Sequence, residues 1–117
     1  MEAADDNMKL VNDSAGGNPA DVIAFLLDTT LDEYKIGVTD GVVTDAGEYQ
    51  DAWGFVQVAS DISEQFGRDT PEAIELQNEI RNLSELWPDS IDGETPPASV
   101  SEVASQISIV RLVLSAL

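Results

Sequence analysis

The sequence predicts an all-α protein, an antiparallel four-helix bundle with up-down topology. Apolar residues recur at spacings of three and four along four separate stretches of the 117-residue chain, which is the period of an amphipathic helix. Residues typical of helix N-termini precede each stretch, and no stretch shows the strict alternation of a half-buried strand. Four such helices with short connections bury their apolar stripes against one another in a bundle.

The first predicted helix begins at Asn18-Pro19, where an N-cap residue is followed by proline at the first helical position. Its apolar stripe extends from Val22 to Tyr34, and it ends near Gly37. Asp40-Gly41 then predicts a turn, after which Val42-Val43 is briefly extended.

The second predicted helix opens at Asp45, since Glu48 follows it with the spacing of a capping box. It ends at Gly67, and Trp53 is expected in the core. Its predicted buried stripe comprises Tyr49, Trp53, Val56, Ala59 and Phe66, widened by Phe55 and Ile62.

The third helix starts at Thr70-Pro71 and ends before Pro88, and a proline-rich loop over 88–98 follows it. Its apolar face carries Ile74, Leu76, Ile80, Leu83 and Trp87.

The fourth helix begins at the capping box Ser99 to Glu102 and continues to the last residue without a C-cap, which suggests that the natural polypeptide continues. It is apolar nearly all round, which is typical of a helix at the centre of a bundle.

Two segments follow from this pattern. Residues 1–17 lack periodicity and end in two glycines, so they are predicted to be a flexible N-terminal tail. Residues 18–117 form the predicted four-helix bundle.

Composition excludes several functions. The chain has five Lys+Arg against 23 Asp+Glu, a formal net charge of -18, and neither His nor Cys. The charge excludes nucleic acid and anionic membrane surfaces as partners, and the lack of His and Cys excludes zinc fingers and iron–sulfur clusters. A thioether copper site is excluded because Met8 is the only methionine after the first residue. What remains is carboxylate chemistry with iron or another hard cation. An acidic surface adapted to high salt gives the same composition without a ligand, and that alternative stays open.

No enzyme activity is predicted, because the chain offers no matched nucleophile and base. Glycoside hydrolysis by two carboxylates stays formally open, although the seven aromatic residues shared with a core leave little for a sugar-binding groove.

Four carboxylates around the predicted turn and the second helix are the candidate metal ligands: Asp40, Asp45, Glu48 and Asp51. They form the densest carboxylate neighbourhood at one end of the bundle, and Glu48 is expected at the edge of the core. A turn followed by a helix cap explains the same residues without a metal.

Two other acidic patterns are weighed against this site. An EF-hand loop is excluded, because its first and third positions would be Ile36 and Val38. Glu72, Glu75 and Glu79 share one helical face, which we interpret as a solvated surface, with a cation site as the alternative.

The order of residues over about 22–56 resembles the extracytoplasmic N-terminal helical domain of bacterial high-affinity iron permeases. The residues that carry the resemblance are Leu26-Leu27-Asp28, Glu33-Tyr34, Val38, Asp40-Gly41-Val42-Val43, Glu48-Tyr49 and Asp51-Ala52 with Phe55. The Arg-Glu-x-x-Glu transport motif of the permeases is absent, since Glu72-Ala-Ile-Glu75 follows proline rather than arginine.

The resemblance implies an accessory or sensing domain of an iron-uptake system rather than its pore. It also implies an extracytoplasmic, periplasmic location and a membrane permease segment, in the same polypeptide or complex, as partner. Two alternatives stay open from the residues alone: a ligand-sensing bundle of a membrane receptor, and a protein-interaction module without a ligand, which leaves a cytoplasmic location possible.

Overall fold

The computed structural model describes residues 18–87 and 96–117, and within them it has the predicted all-α architecture. The predicted tail at 1–17 and the predicted loop from Pro88 to residue 95 lie outside the described residues. The helices are α1 (Pro19–Gly37), α2 (Ala46–Ser63), α3 (Pro71–Ser84) and α4 (Val100–Leu114), with a short hairpin of β1 (Val38–Thr39) and β2 (Val42–Val43) between α1 and α2.

The predicted N-caps are present on all four helices. Asn18 Oδ1 accepts from the backbone nitrogen of Ala20 at 2.9 Å, and the side chains of Asp45 and Thr70 accept in the same way at α2 and α3. At α4 the capping box around Ser99 is complete. Each cap satisfies a backbone donor that has no partner inside its helix, and so fixes where the helix begins.

The segment between α1 and α2 is a two-residue β-hairpin. Val38 pairs with Val43 and Thr39 with Val42, and the two turn residues, Asp40 and Gly41, have φ values of 52° and 78°. Two successive positive φ angles are typical of the turn that joins tightly paired strands. The hairpin therefore reverses the chain in very few residues and makes α2 antiparallel to α1.

The helices pack in a ring in chain order. The most extensive contacts join α1 to α2, α2 to α3, α3 to α4 and α4 to α1. The inward stripes meet in one apolar core, to which α1 contributes Val22, Ile23, Leu26, Leu27 and Tyr34. Only Thr30 and Ser63 interrupt this core among the buried polar residues of the described part. Both hydroxyls bond to a carbonyl of their own helix, so neither is left unsatisfied.

Two predictions for the second and third helices are wrong in detail. The α-helical part of α2 ends at Ser63, and a 3₁₀ turn over Glu64–Phe66 completes the path to Gly67. Trp53, predicted to be buried, and Ile74 are half-buried. Both lie at the margin of their apolar stripes, where a side chain covers the core without entering it.

The fourth helix differs from its prediction more clearly. It is not enclosed on all sides, since Ile109 is 43% and Leu112 72% exposed. A helix in a four-membered ring has two neighbours, so its outward side faces solvent whatever its composition. The helix also ends at Leu114, where the backbone nitrogen of Ser115 donates to Arg111. Among the described helices, none is long and apolar enough to span a membrane.

Candidate metal centre

The last turn of α1 and the first turn of α2 approach each other through their backbones. A Cβ atom on Gly37 would lie 2.7 Å from the backbone nitrogen of Tyr49, which is closer than atoms tolerate. The carbonyl oxygen of Gly37 also accepts a hydrogen bond from the backbone nitrogen of Thr44 at 2.8 Å. The absence of a side chain at Gly37 thus permits the close contact at the hairpin end of the bundle.

Three aromatic rings close the core at this end. Tyr34 from α1 and Tyr49 from α2 have ring centroids 5.8 Å apart. The indole of Trp87, which follows α3, meets Tyr34 edge-on at 5.2 Å and lies 6.4 Å from Tyr49. Its Nε1 donates to the carbonyl oxygen of Tyr49 at 3.3 Å, and the Tyr34 hydroxyl donates to Ala98 at 2.6 Å, just before α4. The aromatic cluster of Tyr34, Tyr49 and Trp87 therefore links all four helices.

Burial determines the ionisation of the two tyrosines. The pKa of Tyr34 is raised far above its ordinary value, chiefly by desolvation and to a smaller extent by the electrostatic effect of the nearby Tyr49 and Glu102. Burial raises the pKa of Tyr49 as well. Both phenols are therefore neutral at physiological pH. The Tyr49 hydroxyl has no hydrogen-bond partner although it is buried.

A cluster of three carboxylates lies beside the aromatic cluster. Glu33, Glu48 and Asp51 each place one carboxylate oxygen so that these atoms lie within 4.8 Å of one another. Glu33 and Glu48 directly precede the two buried tyrosines, and both are half-buried, whereas Asp51 is exposed. The Oε2 atom of Glu33 is buried without a hydrogen-bond partner. We call this group the carboxylate cluster.

The structure brings together two of the four predicted ligands. Glu48 and Asp51 belong to the carboxylate cluster, and Glu48 lies at the edge of the core as expected, but Asp40 and Asp45 are not members. Asp45 is the N-cap of α2 and accepts from the backbone nitrogen of Glu48 at 3.1 Å. Asp40 occupies the hairpin turn. The prediction grouped all four because they are close in sequence. In the structure Asp45 serves as a helix cap and Asp40 as a turn residue, so neither joins the cluster.

Sequence reasoning missed Glu33. The signal available was the repeated Glu-Tyr pair, Glu33-Tyr34 and Glu48-Tyr49. If two buried tyrosines stack across an antiparallel helix pair, the residues that precede them lie near the same groove. Recognising this requires the register between α1 and α2, which the hairpin sets and the helix period does not.

The chemistry of the cluster suits a hard cation. Ion pairing among the described residues is confined to Arg111 and Asp28, so no basic side chain within that part of the chain forms an ion pair with the three carboxylates. An ion at roughly 2.0–2.6 Å from each ligand atom holds oxygens up to ~5 Å apart around it. Three carboxylates with water completing the shell can bind calcium, magnesium or iron, and the donors are all oxygen.

The acidic row on α3 behaves as a solvated surface. Glu72 and Glu75 are exposed, and Glu79 accepts hydrogen bonds from Gln106 at 2.9 Å and Asn82 at 3.0 Å. These bonds lower the pKa of Glu79 despite slight opposing desolvation. Within 18–87 and 96–117, no three carboxylates of this row converge.

Comparison with known proteins gives one family. The model of the iron permease-associated 4-helix bundle domain matches residues 15–117, which is nearly the whole chain. No curated protein and no solved structure matches it.

Proposed function

The chain belongs to the family of iron permease-associated 4-helix bundle domains, and on that premise we propose that it is a non-enzymatic accessory domain of an iron-uptake permease. Its role in this proposal is to bind iron, or another hard cation, at Glu33, Glu48 and Asp51. Its place is extracytoplasmic, and its partner is a membrane permease segment of the same polypeptide or complex.

One observation carries the proposal: the buried Oε2 atom of Glu33 lacks any hydrogen-bond partner beside two further carboxylates. Leaving a buried carboxylate oxygen unsatisfied costs free energy. Holding three like charges together adds repulsion. A bound cation offsets both costs, since it supplies the missing partner and neutralises the group.

The donor set narrows the class of cation. Every ligand atom in the cluster is a carboxylate oxygen, and the chain contains neither His nor Cys. Soft and borderline metals that select sulfur or imidazole are therefore disfavoured, whereas iron(III), calcium and magnesium accept such a site. The association of the family with iron permeases favours iron among these.

The acidic surface supports the same role. A net charge of -18 raises the local concentration of cations around the domain and steers them towards it. Attraction to the whole surface is unspecific, however, and salt screens it. The carboxylate cluster is what converts that attraction into a defined site.

The thermal midpoint tests the proposal. The chain is titrated with low micromolar iron(III) citrate, calcium or magnesium, each at matched ionic strength. We expect a saturable rise with at least one ion, because an ion that binds only the folded state stabilises it by about 2.7 kcal/mol at a hundred times its Kd. Glu33→Gln and Glu48→Gln should abolish the rise.

The matched control is Glu75→Gln, which removes one negative charge from the exposed side of α3. It should retain the response of the parent. If sodium chloride alone reproduces the shift, or if all three variants respond as the parent does, the acidity is a property of solvation and the proposal is wrong.

A further inference from the structure

We infer that Trp87 is a positioning residue for the proposed metal site, because its indole holds together the two helix ends that carry the carboxylate cluster. This inference rests on the proposed function. Trp87 supplies no oxygen ligand and follows α3, away in sequence from the ligands, yet it is only 4% exposed. Its ring packs on Tyr34 and Tyr49, the residues directly after Glu33 and Glu48.

The contacts of the indole are of two kinds. Towards α2, Nε1 donates to the carbonyl oxygen of Tyr49 in the first turn, which also carries Glu48, and Asp51 lies in the turn that follows. Towards α1, the edge-on contact with Tyr34 fixes the turn that carries Glu33. One side chain that follows α3 therefore contacts both ligand-bearing turns and helps to hold them together.

Repulsion within the carboxylate cluster is the reason why the contacts of Trp87 matter for metal binding. Without a cation, three carboxylates within 4.8 Å of one another lower their energy if the ends of α1 and α2 move apart. The indole and the backbone contact between Gly37 and Tyr49 oppose that movement. A site held in its binding geometry spends less of the binding free energy on reorganisation, so its affinity is higher.

Terbium(III), a hard trivalent probe for carboxylate sites, tests the inference. Its affinity for the full chain is measured by calorimetry at constant ionic strength. Trp87→Phe and Trp87→Tyr, which both remove the indole N–H, should bind it about 3- to 10-fold more weakly, the effect of one hydrogen bond. Trp53→Phe, at the half-buried tryptophan of α2, and Val110→Ala, a core truncation in α4, should stay within about twofold of the parent.

A spectroscopic readout separates positioning from stability. The luminescence lifetime of directly excited terbium, compared in H2O and D2O, reports how many waters remain on the bound ion. It should indicate more bound water in Trp87→Phe, where the carboxylates are held less closely, and the same number as the parent in Val110→Ala. If Val110→Ala weakens binding as much as the Trp87 variants, the effect is general destabilisation and the inference is wrong.

Failure of the inference and failure of the proposed function look different. If the Trp87 variants bind terbium like the parent while Glu33→Gln does not, the metal site stands and the positioning role is overturned. If the parent shows no saturable uptake, the proposed function fails and the inference fails with it.

Discussion

The hydroxyl of Tyr34 donates a 2.6 Å hydrogen bond to the carbonyl oxygen of Ala98, which lies 64 residues further along the chain. This bond joins the last turns of α1 to the segment that leads into α4, at the end of the bundle that carries the carboxylate cluster. Its neighbour Tyr49 is buried as deeply, but its hydroxyl has no partner. The hydroxyl of Tyr34 therefore stabilises the fold, whereas the same group on Tyr49 destabilises it.

Removing each hydroxyl should separate these contributions. Tyr34→Phe is expected to lower the free energy of unfolding by about 0.5–1.5 kcal/mol, the net value of one hydrogen bond. Tyr49→Phe should be neutral or stabilising, because it removes a buried polar atom that no partner satisfies. Urea unfolding at neutral pH measures both, and a larger loss for Tyr49→Phe than for Tyr34→Phe would contradict the assignment.

Alkaline pH should destabilise the bundle through Tyr34. Its pKa is raised in the folded state, chiefly by burial, so its neutral form stabilises the fold fully below the unfolded pKa of about 10. Above that pH the unfolded chain loses the phenolic proton while the folded chain retains it, and stability falls as pH rises. Denaturation between about pH 8 and 11 should show a shallower decline for Tyr34→Phe than for the parent. If stability declined equally steeply with pH in both proteins, the burial of Tyr34 would not be the cause of the alkaline destabilisation.

A methyl group at Gly37 should disturb the α1–α2 contact. In Gly37→Ala the new Cβ would meet the backbone nitrogen of Tyr49 at 2.7 Å, and backbone atoms cannot move aside cheaply. We expect a lower thermal midpoint and a loss of about 1–3 kcal/mol, as for other overpacked sites. The control is Gly54→Ala within α2, where nothing lies within 4 Å of the added Cβ. That variant should gain about 0.5–1 kcal/mol from helix propensity, and a loss in both variants would contradict the role of the close contact.

How much the sequence could predict depends on whether a feature is local. The caps at Asn18, Thr70 and Ser99 and the turn at Asp40-Gly41 are set by neighbouring residues, and the structure has them where the pattern predicts. Three- and four-residue spacing identifies which side of a helix is apolar, and it correctly placed Tyr34, Ile80 and Trp87 in the core. Such features need no knowledge of which helices are neighbours.

The remaining features depend on how the helices face one another. Glu33 and Glu48 meet because the hairpin sets the register of α1 against α2, and no local pattern contains that register. Trp53 satisfies the helix period as well as Trp87 does, yet it lies at the edge of the stripe and is half-buried. Leu112 is apolar and 72% exposed, since the ring leaves that side of α4 without a neighbour. In each case packing between elements decided the outcome.

The two tryptophans should differ strongly when each is truncated. Trp87→Ala removes a nearly fully buried ring from the aromatic cluster and should cost about 3–5 kcal/mol. Trp53→Ala removes a half-buried ring and should cost roughly half as much or less. Urea unfolding followed by far-UV circular dichroism, which does not depend on tryptophan, compares them. Equal losses would mean that Trp53 belongs to the core after all.

The ion pair between Arg111 and Asp28 should contribute little, although it joins α4 to α1. Both side chains remain well exposed, at 45% and 66%, so water and salt screen their attraction. Arg111→Gln is expected to lower the free energy of unfolding by about 1 kcal/mol or less. That difference should shrink further in molar sodium chloride, which also relieves the repulsion among the many carboxylates and so stabilises parent and variant alike. A loss of several kcal/mol that persists in high salt would instead assign Arg111 a packing role along α1, through its aliphatic stem rather than its charge.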